Sequence, residues 1–303
     1  MSADFRAHVA AVLGFAPESI EPGKLMRFGP GKSAWCKLFD DQRNGVCGDF
    51  KQNINTSTWS ATKEKLSPAE YVEQQRQIRQ AIREREAEQM ARFRENRARI
   101  AELLAWTVEV SAGDPVARYF DQRGLAGAWN FAPCLRLHPG LPYIHEGVKI
   151  GTFPAMIAPL QSPEGVTVAL HRTYLTQDGQ KAPVPVVKKL TPAGGSLRGA
   201  AIRLQPMRDG VLGVSEGIET AMASAMASSL PVWSTYCAHG LATFDWPTGV
   251  RKLVVFGDND TAGRDAARTL HLRAAKAGKT SSMLLPTVQG MDWADVYAEG
   301  ARA

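Results

Sequence analysis

Three acidic side chains stand where apolar runs give way to polar sequence. Glu216 follows "VLGVS", and Asp258 and Asp260 follow "LVVFG" within "LVVFGDNDTAGRDAA". Each run reads as a buried strand, and paired negative charge at the end of such a strand is costly. Three carboxylates converging within about 4–5 Å repel one another by several kcal/mol at low effective dielectric, so they bind protons or a cation. No Cys or His accompanies them, and an all-oxygen ligand set favours Mg2+ or Mn2+ over zinc. An ion held this way neutralises phosphate charge and activates a hydroxyl for in-line attack on phosphorus. Asp292 and Asp295, in "GMDWADVYAEG", follow the last predicted strand and can complete a second metal site. Helix capping competes for Asp258 and Asp292, and Glu219 can face solvent on its helix. The recurrence of acids at successive strand ends favours the metal reading.

The elements that must position these acids are legible from residue 210 onward. "GVLGVS", "LPVWSTY", "RKLVVFGD" and "TSSMLLP" read as strands, separated by the helices "GIETAMASAMASS" and "TAGRDAARTLHLRAAKAG". Strands alternating with helices over short turns predict a parallel sheet with helices on its faces. Such sheets place ligands at the carboxyl ends of their strands, the rim from which Glu216 and Asp258 project. Gly263 lets the chain pass close to a ligand as its helix begins.

The upstream sequence differs in character. Residues 111–208 hold eleven Lys and Arg against five Asp and Glu, while residues 209–303 hold eight against ten. A basic segment beside an acidic one suits a protein that holds a polyanion against a metal-binding pocket. "DPVARYFDQRGL" reads as a short helix closed by Gly124, and "FPAMIAPLQSPEGVTVALHRTYLTQDGQKA" as strands joined by "SPEG" and "QDGQ" turns. Lys188, Lys189, Arg198 and Arg203 follow within a short span. Residues 67–110 predict a long, charged, largely solvated helix, with Ser67 as cap, Pro68 in the first turn and Glu70 completing a capping box. Residues 1–66, rich in Gly, Pro, Asn and Trp, predict a small β-rich module. The expected organisation is therefore 1–66, 67–110, 111–208 and 209–303.

Several classes are excluded on the same grounds. The four cysteines include no CxxC pair, so neither a zinc site nor a disulfide framework is expected. "GPGKS" at 29–33 lacks the first glycine of a phosphate-binding P-loop, a position held by Met26. No signal-peptide pattern or apolar run of about 18 residues is present, which points to a cytoplasmic protein with free thiols and no membrane partner. Phosphatases of the haloacid dehalogenase type want Thr or Val where this chain has Ala262, and they carry the motif on an early strand; only 43 residues follow Asp260.

Together, "VSEGIETAMASA", "VVFGDNDTAGRDAA" and "GMDWADV" resemble the Toprim domain, shared by bacterial replicative primases, type IA and II topoisomerases and some nucleases. "TAGRDAA" resembles the primase version, and "GIETA" that of plasmid- and phage-encoded primases. "ARYFDQRGL", "LRLHPGLPY" and "KKLTPAGGSLRGAAIRL" extend the resemblance across about residues 111–300. The implied fold is α/β: a Rossmann-like parallel sheet flanked by helices at the C-terminus, preceded by a basic α+β subdomain, a long charged helix and a small β-rich N-terminal module. The resemblance implies that Glu216 is a metal ligand or the general base for a 3′-hydroxyl, and that Asp258 and Asp260 bind metal. It places Arg172, Lys188, Lys189, Arg198 and Arg203 along a groove for template and nucleoside triphosphate. The chain departs from replicative primases in having no zinc ligands, in carrying its second glutamate-motif acid at Glu219, three residues on, and in showing no recognisable helicase module.

The activity so implied is priming: synthesis of short RNA on single-stranded DNA with Mg2+ or Mn2+, for a plasmid- or phage-type element, alongside a replicative helicase or other replication proteins. Two alternatives stand beside it, a Toprim nuclease and a non-catalytic single-stranded-DNA-binding accessory factor. A topoisomerase would need a large strand-passage domain for which there is no room. Trp35, Trp59 and Tyr174 are candidates for base stacking or, preferentially, for the core.

Overall fold

The computed structural model describes residues 2–49, 52, 54–61 and 67–300. The tails of the first and last expected modules, 62–66 and 301–303, lie outside the described residues. The chain divides into two compact units, Met1–Arg92 and Phe93–Ala303.

The first unit opens on helix α1 (Ser2–Leu13), which the β-rich reading of this region did not anticipate. Strands β1 (Met26–Phe28), β2 (Ala34–Leu38), β3 (Asn44–Asp49) and β4 (Ile54–Ser60) follow as an antiparallel meander in sequence order. Phe5, Val9 and Leu13, spaced four apart and thus on one face of α1, pack with Ala34, Cys36, Leu38 and Cys47. Burying each large apolar side chain of that set contributes about 1.5–3 kcal/mol. The alternate residues Trp35 and Val46 point to the other face, where Phe39 and Ala81 join them. Ala81 belongs to helix α2 (Pro68–Ala105), whose expected capping box is present: Ser67 N–H donates to the Glu70 carboxylate at 2.9 Å. Arg27–Glu88 (2.7 Å) and Lys37–Glu84 (2.5 Å) pair within this unit. The boundary between units falls inside α2, so its charged sequence serves both cores. Ile100 is buried in the second unit beside Leu141 and Tyr143, and Arg97 donates to the Gly194 carbonyl there.

The second unit combines two sheets. Strands β5 (Val108–Glu109), β6 (Arg136–His145), β7 (Val148–Gln161), β8 (Thr167–Tyr174) and β9 (Lys188–Leu190) form an antiparallel sheet in that order, with helix α3 (Pro115–Gln122) capped by Asp114. Strands β10 (Val211–Ser215), β11 (Val232–Ser234), β12 (Lys252–Phe256) and β13 (Thr280–Leu284) form the expected all-parallel sheet, ordered β11-β10-β12-β13. Helices α4 (Ile218–Ser228), α5 (Ala238–Thr243), α6 (Thr261–Lys276) and α7 (Trp293–Gly300) complete it. Alternation along β12 divides the packing. Leu253 and Val255 face the core that holds Leu270 of α6, while Val254 and Phe256 face one shared with Phe120, Met156 and Met222. The two sheets are joined by hydrogen bonds from Ile202 to Ser234 and from Ala201 to Gln161. No described helix is long and apolar enough to cross a membrane.

Candidate active site

The acidic residues meet at the carboxyl edge of the parallel sheet. Strand β10 ends at Ser215, so Glu216 is the first residue beyond it, followed by Gly217 as the extended cap of α4. Ser234 Oγ donates to the Glu216 carbonyl (2.8 Å) and Thr235 N–H to the Ser215 carbonyl (2.9 Å), fixing this corner. Strand β12 ends at Phe256, and Gly257 leads to Asp258. A side chain at Gly257 would strike Ala267, its Cβ falling 2.7 Å from that methyl. At Gly263 a Cβ would lie 2.6 Å from the Asp258 carbonyl, so only glycine lets the first turn of α6 rest on the Asp258 backbone.

Asn259 staples the last acidic pair to this corner. Its backbone N–H donates to the Met291 carbonyl (3.0 Å), its carbonyl accepts from Gly290 N–H (2.8 Å), and its amide donates to the Pro286 carbonyl (2.9 Å). Arg264 in turn bonds the Asn259 side-chain oxygen at 2.9 Å. Asp292, just before α7, and Asp295, in its first turn, are thereby brought within electrostatic reach of Asp258.

The consequence is a strongly perturbed carboxyl. Burial first, then Glu216, Asp292, Asp260 and Asp295, push Asp258 up from 3.8 to about 7. Its Oδ1 is buried without a hydrogen-bond partner. Burial and then Asp260 likewise raise Glu216, with the Ala238 N–H and Lys188 pulling the other way. The remaining acids are partly engaged in capping: Asp260 accepts from Gly263 N–H at 2.6 Å, and Asp292 and Asp295 accept from each other's backbone N–H at 2.9 and 3.2 Å. Among the described residues no three His, Cys, Asp or Glu side chains stand in a ready-made metal cage. The donor set nonetheless fits a hard divalent cation. It offers oxygen alone, with one buried oxygen unpartnered and a carboxyl that burial and its acidic neighbours push up to about 7.

The first turn of α4 carries a different carboxylate. Glu219 is 4 % exposed; the Tyr119 hydroxyl donates to it at 2.5 Å, and the Lys188 ammonium lies 2.9 Å from each of its oxygens. Burial opposes the charge, but Lys188 and Tyr119 outweigh it and draw Glu219 down to about 2. Neighbouring His171 is driven by burial down to about 4 and is neutral at physiological pH. The Arg123 guanidinium stands 5.8 Å from the Tyr119 ring centroid. Tyr119, His171, Asn259 and Glu219 were not among the predicted site residues. Tyr119 and Glu219 lie inside the quoted segments "ARYFDQRGL" and "VSEGIETAMASA", but nothing in the spacing of 100 residues between them signals a hydrogen bond.

Of the five basic residues expected along the groove, Lys188 is the one the structure brings to the acids. Arg172 donates to the Leu190 carbonyl (2.7 Å), and Lys189 donates to the Ile144 carbonyl (2.7 Å) while lying over the Tyr143 ring. Arg203 donates to the Ser162 and Pro163 carbonyls, both at 2.8 Å, with its guanidinium 4.8 Å from the Trp233 ring centroid. Arg198 is exposed, its backbone N–H bonded to Ser196. Trp35 and Tyr174 are core residues, and Trp59 packs 5.4 Å from Phe5.

Comparison with known proteins gives two family matches and several structural ones. Residues 94–204 match a family described only as a domain of unknown function, DUF7146. No curated protein sequence matches the chain. Among solved structures it is similar to the RNA polymerase domain of Mycobacterium tuberculosis primase DnaG, at 16 % identity over 71 % of this chain and 82 % of that one, with TM-score 0.42. It is similar also to a DnaG primase catalytic domain bound to ssDNA, at 13 % identity over 61 % and 69 %, TM-score 0.42. A third is the primase fragment of the bacteriophage T7 primase-helicase, at 14 % identity over 61 % of this chain and 66 % of that one, TM-score 0.38; the chain spans just under two thirds of that fragment. Residues 211–303 match the family model for the Toprim domain, and with its parallel sheet and acidic carboxyl edge this part of the chain is a Toprim domain.

Proposed function

We propose that the protein is a primase, a metal-dependent nucleotidyltransferase that makes short RNA on a single-stranded DNA template during replication of a plasmid- or phage-type element. The observation that carries this reading is Asp258: a buried carboxyl with an unpartnered oxygen, within electrostatic reach of Glu216, Asp260, Asp292 and Asp295, with Lys188 within reach of Glu216. Asp258, Asp260 and Glu216 would hold Mg2+ or Mn2+, with Asp292 and Asp295 beside them. The bound ion supplies charge neutralisation at phosphate and lowers the cost of ionising a hydroxyl. The chain's own groups do the rest. Where Glu216 is not itself taken up by the ion, its carboxylate, made more basic by burial, accepts the proton of the attacking 3′-hydroxyl. That oxygen bonds to the α-phosphorus of the incoming triphosphate, and the bond to pyrophosphate breaks in line. Lys188 faces the phosphates, and exposed Arg198, with the free edges of the antiparallel sheet, meets the template backbone.

The test is to incubate the protein with single-stranded DNA, NTPs and Mg2+ or Mn2+ and look for short labelled oligoribonucleotides. Templates cut instead of copied would replace this reading with a nuclease. Binding without either product would leave the accessory factor. Replicative helicase, added to the same assay, is the partner to examine for stimulation.

A further inference from the structure

The cluster behind the acidic edge has a division of labour. Glu216 and Glu219 leave the same turn of chain at the start of α4, yet they meet opposite fates. Glu216 is the strand-end acid at the edge; Glu219 is buried and saturated. One of its oxygens accepts the Tyr119 hydroxyl of α3, and both lie 2.9 Å from the Lys188 ammonium of β9. Tyr119 is itself 3 % exposed, whereas the Lys188 side chain is 42 % exposed. The lysine is therefore gripped from behind and open in front. The acidic edge is close by in the chain: Glu216 lies three residues before Glu219, and Lys188 and Glu216 are within electrostatic reach of each other.

A lysine on a four-carbon stem carries much rotamer freedom, which a free ammonium would have to surrender on meeting a phosphate. A buried carboxylate that bonds it beforehand removes that cost, and a phenol that bonds the carboxylate fixes its orientation. His171, packed against the same cluster, is uncharged, and so leaves Lys188 as the counter-ion of Glu219. Arg172, the other cation near His171, is bonded to the Leu190 carbonyl. Glu219 is buried and both of its oxygens are already engaged, so a metal would have to compete with Lys188 and Tyr119 for it.

We infer that Tyr119 and Glu219 are positioning residues: they clamp Lys188 so that its ammonium meets the triphosphate of a metal-bound nucleotide at the acidic edge, and Glu219 is not a metal ligand. This rests on the proposed nucleotidyl-transfer reading for its ligand but is tested by binding alone. The probe is Mg·ATP carrying a fluorescent ribose label, titrated onto the full chain. Glu219→Gln should weaken it about tenfold and Tyr119→Phe about threefold, as expected for bonds to charged groups. Single-stranded DNA affinity without nucleotide should stay within about twofold, since no phosphate-facing cation is removed.

A second background separates positioning from packing. In Lys188→Met/Glu219→Gln, which removes both charges together and so leaves no buried unpaired ion, adding Tyr119→Phe should change Mg·ATP affinity no further. Equal Tyr119→Phe losses in both backgrounds, or unaltered affinity in the single variant, overturn the inference. If the wild type primes while Tyr119→Phe binds Mg·ATP normally, the clamp is wrong and the primase reading stands. Should the wild type bind Mg·ATP through this clamp and yet copy no template, the primase reading falls and the clamp stands. Failure of the wild type to bind Mg·ATP overturns the clamp.

Discussion

The two sheets of the second unit treat charge in opposite ways. On the antiparallel sheet and the segment that follows it, the cations are consumed locally: Arg172, Lys189 and Arg203 each donate to backbone carbonyls, and Lys189 and Arg203 also cover aromatic rings. On the parallel sheet the acids accumulate at one edge and a buried oxygen of Asp258 goes unpartnered. Satisfied charge stabilises the fold and contributes little to ligands; unsatisfied charge destabilises the fold and is available to them. Where the sheets meet, Lys188 crosses from the first behaviour to the second, paired with buried Glu219 yet exposed toward the edge.

The sharpest way to break this contrast is Asp258→Asn. On the proposed reading, loss of this charge should lower primer synthesis by about a thousandfold or more, several kcal/mol of transition-state stabilisation. Template affinity should hold or rise, because a negative charge has gone. Full activity in this variant would remove the acidic edge from the mechanism.

Gly263→Ala attacks the same corner through its backbone. The new Cβ would lie 2.6 Å from the Asp258 carbonyl, which must move. A loss of about 2–3 kcal/mol in urea unfolding is expected, together with reduced activity. A stable and fully active variant would show that α6 does not set the position of Asp258.

Arg203→Met probes the satisfied side. Losing two carbonyl bonds and the contact over Trp233 should cost about 2 kcal/mol of stability while template affinity changes little. A large fall in DNA binding with unchanged stability would instead make Arg203 a ligand contact.

Acidity distinguishes the edge in a metal-free protein. Asp258 titrates near 7 folded and near 3.8 unfolded, so the folded chain binds the extra proton between those values and loses stability as pH rises through them. The stability difference between Asp258→Asn and wild type, measured in chelator, should grow from nothing near pH 4 to about 2 kcal/mol at pH 7. Adding Mn2+ should shrink it. Glu219 has the opposite sign: its stabilisation is full above its unfolded value and is lost as pH falls from there toward 2, so it is level from about pH 5 to 7 and cancels between the two proteins compared.

The smallest effect belongs to Arg198→Ala. An exposed guanidinium meeting phosphate should lower the salt slope of template binding by about one and affinity a few-fold, with stability unmoved. An unchanged slope would remove Arg198 from the template path.

Much of the Toprim region was legible because its signals are local. Alternation of apolar strands with helices predicts a parallel sheet, and a parallel sheet has one carboxyl edge, so Glu216 and Asp258 had to share it. The capping box at Ser67 and Glu70 is likewise read within one turn of chain. Helix α1 escaped because its apolar residues Phe5, Val9 and Leu13 find their partners only in the sheet, on strands more than twenty residues away in sequence.

What composition and spacing determined, then, is which side chains are chemically capable and at which edge they gather. Which of them are free was decided by folding. Eleven cations in residues 111–208 predict a basic surface, but a guanidinium finds a carbonyl or a ring only when distant strands close around it. Glu216 and Glu219 differ by one helical turn in sequence, yet one is raised and the other lowered, because Tyr119 and Lys188 arrive from 100 and 31 residues away. Partner identity in a buried site is a property of tertiary contacts, and it sets the sign of every charge that matters here.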